Sequence, residues 1–106
     1  VNTTQIADIV VNLVANAADA MAEGGQILIR GHQKDSKFHL EVSDNGPGIS
    51  PKNQQKIFNL FFSTKESSGF GLWSARRYAR KNSGDLILKE SVIGKGSTFA
   101  LWLPLF

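Results

Sequence analysis

The sequence contains no cysteine and only three prolines. Without cysteine the chain forms neither disulfides nor thiolate metal sites, which fits a reducing compartment. No apolar run approaches the roughly 20 residues that a helix needs to cross a bilayer, and residues 1–5 do not resemble a signal peptide. We therefore expect a cytoplasmic chain without direct membrane contact, although its parent protein can be membrane-anchored.

The composition is that of one ordinary globular domain. With 106 residues, 42% hydrophobic and 20% charged, the chain is long enough to close a single core, and we expect one domain over residues 1–106. The net charge of +3 comes partly from Arg76, Arg77, Arg80 and Lys81. Such a cluster is compatible with an anionic partner, but it is more often a solvated helix face.

Helical spacing of apolar residues predicts a first helix over about residues 4–22. Ser50-Pro51 predicts a short helix that continues to Phe58. Residues 59–68 have no sustained period and are expected to form a loop. A second long helix should follow Gly69-Phe70-Gly71 and end near Asn82.

Alternating residues predict two strand pairs, over 26–32 with 38–42 and over 85–91 with 97–103, the last ended by Pro104. The order of elements favours an α+β fold, a two-layer sandwich with about three helices on one face of a mixed or antiparallel sheet.

Asn12 and Asn16 lie one turn apart in the first predicted helix. Asn16 shares its face with Ile9, Leu13 and Ala20, where burying an unpaired amide costs about 1–3 kcal/mol. Either nearby backbone satisfies this amide, or the residue is a ligand position. An amide oxygen is a hard, neutral donor of the kind that suits Mg²⁺.

The segment Asp44-Asn45-Gly46-Pro47-Gly48 follows a predicted strand. Its glycines let a flat group approach the backbone, and Asp44 can accept a hydrogen bond from a purine amine. The alternative is ordinary turn chemistry, since Asp-Asn-Gly is common in turns.

Gly69-Phe70-Gly71 precedes a helix, and free N–H groups at a helix start suit phosphates. Lys65, Ser67 and Ser68 are placed to close over such a group as part of a lid. A glycine pair before a helix is by itself a weak signal.

The order of these motifs, which ends with Gly94-Lys95-Gly96-Ser97-Thr98-Phe99, resembles the ATP-binding domain of sensor histidine kinases. That domain lies in the superfamily that also holds gyrase, heat-shock chaperone and mismatch-repair ATPases. The resemblance covers nearly the whole chain, and Ser63-Thr64-Lys65 is similar to the nitrogen-regulation-type subgroup. It implies a Bergerat-type fold, whose short N-terminal strand is expected to be missing here.

The resemblance also implies roles for individual residues. Asn16 would coordinate Mg²⁺ and act in catalysis with Lys65, and Asp44 would receive the adenine amine of ATP. Phe58, Phe61 and Phe62 look like the family's phenylalanine motif. The residues implied to bind the nucleotide are Asn12, Asn16, Asp19, Ala20, Asp44, Gly46, Gly48, Ile49, Phe58, Thr64, Lys65, Ser67, Ser68, Gly69, Phe70, Gly71, Leu72 and Thr98.

Asn12 stands where ATP-hydrolysing relatives carry a glutamate that activates water. An amide is no general base at neutral pH, which favours phosphate transfer to an external histidine. The implied partners are a histidine-bearing dimerisation domain and, indirectly, a response regulator, with the isolated domain a monomer. His32 and His39 fall in or beside the first hairpin and are not expected to be acceptors.

Two alternatives remain open. The first is an anti-sigma-factor-type serine kinase or a degenerate nucleotide-binding module of the same fold. The second is a non-enzymatic nucleic-acid binder using residues 76–81, which lacks a recognisable reading element. Trp73 is expected to fill a gap in the core rather than to contact the lid or a partner.

Overall fold

The computed structural model describes residues 3–21, 24–59 and 71–104. The elements in chain order are α1 (Thr3–Ala20), β1 (Ile27–Lys34), β2 (Lys37–Asp44), α2 (Pro51–Gln54), α3 (Gly71–Lys81), β3 (Asp85–Val92) and β4 (Gly96–Pro104). The two long helices and both strand pairs are confirmed to within a few residues. The predicted loop lies outside the described residues from position 60 onward, as does residue 22, where the first helix was expected to end.

The short helix was predicted too long. Ser50 caps α2, since its Oγ accepts a hydrogen bond from Asn53 N at 3.2 Å, and Pro51 opens the first turn. Helical pairing ends at Gln54, after which Lys56 N donates to Asn53 O at 2.8 Å in a tighter turn. This tighter turn leads to Ile57, whose side chain is buried in the core, so a straight helix to Phe58 does not form.

The four strands form one antiparallel sheet in the order β1-β2-β4-β3. β1 and β2 are joined at Asp35-Ser36, whose φ angles of 54° and 61° are those of a two-residue type I′ hairpin turn. The central strands β2 and β4 are paired from Lys37–Pro104 through to Asp44–Ser97. In this register the last residue of β2 and the first residues of β4 lie side by side at the same end of the sheet.

One face of the sheet is covered by α1 and α3, which confirms the two-layer α+β prediction. Strand residues alternate, so every second side chain of β2 and β4 points towards the helices. The buried core comprises Ile9, Leu13, Ala17, Leu40, Val42, Ile57, Ala75, Ala79, Leu86, Phe99, Leu101 and Leu103. Within the described ranges, no helix has both the length and the apolarity to cross a membrane.

The loop after β2 lies directly against the turn between β3 and β4. Gly94 N donates to Pro47 O at 2.8 Å. A Cβ on Gly96, which has a φ of 126°, would collide with the Asp44 carbonyl, and one on Gly48 would collide with the Val92 carbonyl. Glycine is therefore required at these two points because backbone meets backbone there.

Replacing Gly96 by alanine should destabilise the fold by about 2–4 kcal/mol, because overpacking against Asp44 adds to the strain of a positive φ. Gly94→Ala is the matched control: its φ is also positive, at 80°, but no atom lies within 4 Å of an added Cβ. That variant should lose only about 1 kcal/mol. Denaturant unfolding of both variants checks the difference, and equal losses would show that no close contact exists at Gly96.

Asp85 joins the end of α3 to the start of β3. Its Oδ1 accepts from Arg80 Nε at 3.0 Å and from Leu86 N at 2.8 Å, and it lies 3.5 Å from Arg76 Nε. Burial acts to raise the pKa of Asp85, but the Leu86 amide and the two guanidinium groups outweigh it, so the pKa is lowered below 3.8. The ionised form therefore stabilises the folded state.

The lowered pKa of Asp85 makes this contribution dependent on pH. A depressed folded-state pKa gives stability that is present above the ordinary carboxyl pKa of 3.8 and lost as the pH falls through the folded value. At pH 7, Asp85→Asn should therefore cost roughly 1 kcal/mol in unfolding free energy, and in acid well below 3.8 the cost should vanish. A cost of equal size at both pH values would show that charge plays no part.

Candidate functional site

Asp44 ends β2 on the face of the sheet that carries the helices. It continues the alternation of the buried residues Leu40 and Val42, and it is itself half-buried. Its Oδ1 accepts a hydrogen bond from Gly46 N at 2.9 Å, which fixes the carboxylate in a turn at the strand end. Within the described part of the chain the carboxylate makes no other hydrogen bond, so it retains acceptor capacity for a ligand.

The loop that follows Asp44 is held from both sides. Asn45 Oδ1 accepts from Gln26 N at 2.8 Å, next to β1. On the other side, Ile49 N donates to Ser91 Oγ at 2.8 Å, on β3. The loop that carries the predicted pocket residues Gly46, Gly48 and Ile49 is thus tied to β3 on one side and to the residue before β1 on the other.

Ser97 is the residue that strand pairing places opposite Asp44. It is buried, and its hydroxyl lies 2.8 Å from Ser91 Oγ, the group that receives the Ile49 amide. Residues directly opposite in an antiparallel pair share one face. A chain of hydroxyl groups therefore runs from the glycine loop towards the Asp44 carboxylate.

The structure does not bring Thr98 to this group. Strand alternation turns its side chain to the opposite face, where its hydroxyl lies 2.8 Å from that of Ser43. The resemblance selected Thr98, whereas the site face carries Ser97. The apolar residues Phe99, Leu101 and Leu103 alternate in the sequence. Continuing this alternation backwards places Ser97 on the same face of β4, so the signal was present in the sequence.

Asn12 and Asn16 lie on the flank of α1 that faces the start of α3. The Asn12 Oδ1 atom is 3.9 Å from the position of a Cβ on Gly71, the first residue of α3. Both amides are half-buried, and neither has a hydrogen-bond partner among the residues that the structure describes. The nearby backbone that the structure describes therefore does not pair with the Asn16 amide, which stays a predicted ligand position.

The donor chemistry of this flank fits a magnesium ion. The Asn16 amide supplies one neutral oxygen, and no group of three His, Asp or Glu side chains occurs in the described ranges. Mg²⁺ is commonly held by one or two protein oxygens together with water and substrate phosphates. Asp19 lies exposed one turn beyond Asn16, and Ala20 is the last residue of α1.

The other predicted residues fall into two groups. Leu72 packs against the core, and Phe58 packs edge-on against Phe99 with ring centroids 6.2 Å apart. Phe58 therefore lies at the border of the core. The residues outside the described part of the chain are Phe61, Phe62, Thr64, Lys65, Ser67, Ser68, Gly69 and Phe70.

Trp73 was expected to fill a gap in the core, but it lies outside the core. It is half-buried on the outer side of α3 and is not among the residues packed against the core, and the Arg77 guanidinium lies 5.2 Å from its ring centroid. The core positions of α3 are taken by Ala75 and Ala79, and position 73 lies about 200° around the helix from Ala75, so its side chain points away from the core.

His32 and His39 lie opposite each other on β1 and β2, as predicted for strand residues. Their rings stack with centroids 4.9 Å apart and planes 8° apart. Because His39 alternates with the buried residue Leu40, both rings lie on the sheet face away from Asp44.

Comparison with known families and proteins gives a consistent result. Residues 1–106 match the family described as histidine kinase-, DNA gyrase B-, and HSP90-like ATPase. The chain is 39% identical over 117 residues to the sensor kinase CckA of Brucella abortus, a match that covers 94% of this chain and 12% of that protein. It is 38% identical over 99 residues to the signal transduction histidine-protein kinase AtoS of Escherichia coli, covering 92% and 16%.

Solved structures share the fold. The mycobacterial sensor histidine kinase MprB superposes with a TM-score of 0.84 at 27% identity, covering 98% of this chain and 72% of that one. The catalytic domain of histidine kinase ThkA gives 0.83 at 31% identity, with 95% and 66% covered. Full-length ShkA, solved in complex with AMPPNP, gives 0.84 at 27% identity, with 94% and 21% covered. Since the match extends over the whole sequence, the chain belongs to the histidine kinase-, DNA gyrase B-, and HSP90-like ATPase family.

Proposed function

We propose that residues 1–106 form a catalytic domain that binds Mg-ATP and transfers its γ-phosphate to a histidine on a separate dimerisation domain. The observation that carries the proposal is the convergence of Asp44, Ser97 and the glycine loop on the helix side of the sheet. Further support comes from the sensor kinases among its relatives, of which this chain spans only 12% and 16% of the length in two cases.

The adenine end of the site is built from Asp44 and Ser97. The carboxylate accepts the exocyclic amine of adenine, and the Ser97 hydroxyl, already oriented by Ser91, lies beside it. The flat base packs against the wall formed by Gly46, Gly48 and Ile49, where side chains are small or apolar. Charge-assisted acceptance by a carboxylate is stronger than a neutral hydrogen bond, so this end supplies base specificity.

The phosphate end lies between α1 and the start of α3. Asn16 would hold Mg²⁺, with Asn12 beside it, and the ion when bound neutralises charge on the phosphate oxygens. The start of α3, where the helix dipole is positive, lies next to Asn12. Lys65 is the predicted residue that holds the γ-phosphate. A nucleotide analogue, AMPPNP, is bound by full-length ShkA.

The acceptor is external in this proposal. Asn12 offers no carboxylate to activate water, which disfavours hydrolysis. His32 and His39 stack on the far face of the sheet, so neither is placed to attack a phosphate bound at Asn16. A histidine from the dimerisation domain then enters in line with the γ-phosphate, and a response regulator receives the phosphate afterwards. The domain works in the cytoplasm and is a monomer by itself.

Incubation with ATP and a separately prepared histidine-bearing domain tests this function. We expect phosphate on the added domain in an acid-labile, alkali-stable form, only when both proteins are present. Asn16→Ala should reduce the transfer rate at least about tenfold, because the metal oxygen is lost, while the melting temperature stays near that of the parent. Acid-stable phosphoserine would instead identify a serine kinase, and phosphate on the 106-residue chain alone would contradict an external acceptor.

Neighbouring hydroxyls on β4 provide a second test. Ser97→Ala should weaken ATP binding by roughly 1 kcal/mol, because a hydrogen-bonding group beside the adenine is removed. Thr98→Val is the control, since its side chain lies on the other face against Ser43, and it should leave nucleotide affinity unchanged. Calorimetric titration measures both. A loss of affinity in Thr98→Val alone would reverse the assignment of the two residues.

A further inference from the structure

A groove of about 740 Å³ runs along the outer side of α3, away from Asp44 and Ser97. Phe58 and Trp73 form its aromatic walls, and four cations line it: Arg76, Arg77, Arg80 and Lys81. We refer to these four residues as the basic face. The four residues of the basic face are not part of the nucleotide site proposed above, whereas the resemblance also assigns Phe58 to that site.

The basic face concentrates the positive charge of the molecule. α3 carries these four cations and no acidic residue, while the whole chain has a net charge of only +3. The rest of the chain is therefore slightly acidic on balance. A field of one sign localised on one helix attracts an anionic partner to that helix rather than to the surface in general.

Among the described residues, carboxylates neutralise only part of the positive charge of the basic face. Asp85 lies 3.0 Å from Arg80 Nε and 3.5 Å from Arg76 Nε. Neither Arg77 nor Lys81 forms an ion pair with any residue in the described ranges, and the buried Arg76 Nε makes no hydrogen bond there. The Asp85 carboxylate is thus the one described anion on a surface whose four cations can bind several carboxylates.

The aromatic walls hold two of the cations in place. The Arg76 guanidinium lies 4.4 Å from the Phe58 ring centroid, and the Arg77 guanidinium lies 5.2 Å from that of Trp73. A stacked guanidinium still presents its N–H groups at its edge, where a carboxylate binds in two-point fashion. Single-stranded nucleic acid binds largely by stacking its bases on aromatic rings, whereas the groups that this groove presents in greatest number are the N–H edges of cations.

The side chains along the outer side of α3 are spaced like those on one face of a partner helix. Trp73, Arg77 and Lys81 follow one another at four-residue intervals, so they form a row along α3 of about 12 Å in length. We propose that this surface docks a helical segment of a partner protein whose carboxylates are spaced one turn apart. Each carboxylate on such a helix meets one of the cations without an ion pair in the described residues, Arg77 or Lys81, while an apolar side chain one turn beyond the Arg77 contact meets the Trp73 ring.

Two stapled helical peptides of about 20 residues with identical composition test the proposal. One carries glutamates four residues apart, and the other carries them distributed around the helix. Fluorescence anisotropy should show that the first binds the 106-residue chain at least fivefold more tightly, with affinity falling as salt screens the charges. In a Trp102→Phe background, binding should also change the fluorescence of Trp73, the tryptophan that then remains.

Charge-matched double variants locate the surface. Arg77→Ala/Lys81→Ala should weaken binding of the first peptide about fivefold to tenfold. Lys34→Ala/Lys52→Ala removes the same charge from exposed positions elsewhere and should have little effect. Equal losses in both variants, equal binding of both peptides, or tighter binding of single-stranded oligothymidylate than of either peptide would each overturn the proposal. Thermal melting of both variants verifies that the fold is retained.

Discussion

The proposed adenine end of the site depends on one contact between two stretches of backbone. The loop after β2 and the turn between β3 and β4 touch at Gly48 and Gly96, where a side chain on either glycine would meet a carbonyl group. The hydrogen bond from Gly94 N to Pro47 O closes the same junction. This contact places Asp44 opposite Ser97 and stiffens the wall that a flat base would pack against, so binding requires little ordering of the loop.

Both proposed functional surfaces lie on the helix side of the sheet, and residues that serve neither surface lie on the other face. Its helix side carries Asp44 and Ser97, and its other face carries the stacked His32 and His39 rings. Within the helix layer, α3 has two roles: its first residue, Gly71, lies beside Asn12, and its outer side carries the basic face. One helix therefore connects the proposed phosphate end with the proposed docking groove.

Much of this arrangement was predictable from the sequence because periodic patterns report burial directly. The spacing of Ile9, Leu13 and Ala17 predicted α1, and turn residues predicted both hairpins. The predictions were wrong where packing in the folded chain, rather than local sequence, determines the position of a residue. Burial of Ile57 ends α2 early, and the side of α3 that packs on the sheet carries Ala75 and Ala79, which leaves Trp73 on the outer side. Thr98 was preferred over Ser97 because motif resemblance took no account of strand alternation.

The most direct measurement compares two nucleotides that differ at one group. Inosine triphosphate carries a carbonyl oxygen where adenine carries its amine, so it offers Asp44 an acceptor instead of a donor. Calorimetric titration should show that the parent chain prefers ATP by about tenfold or more, in line with roughly 1–3 kcal/mol for an unmade hydrogen bond to a charged group, and that Asp44→Asn abolishes this preference. Equal affinities of the parent chain for both nucleotides would contradict the placement of adenine at Asp44.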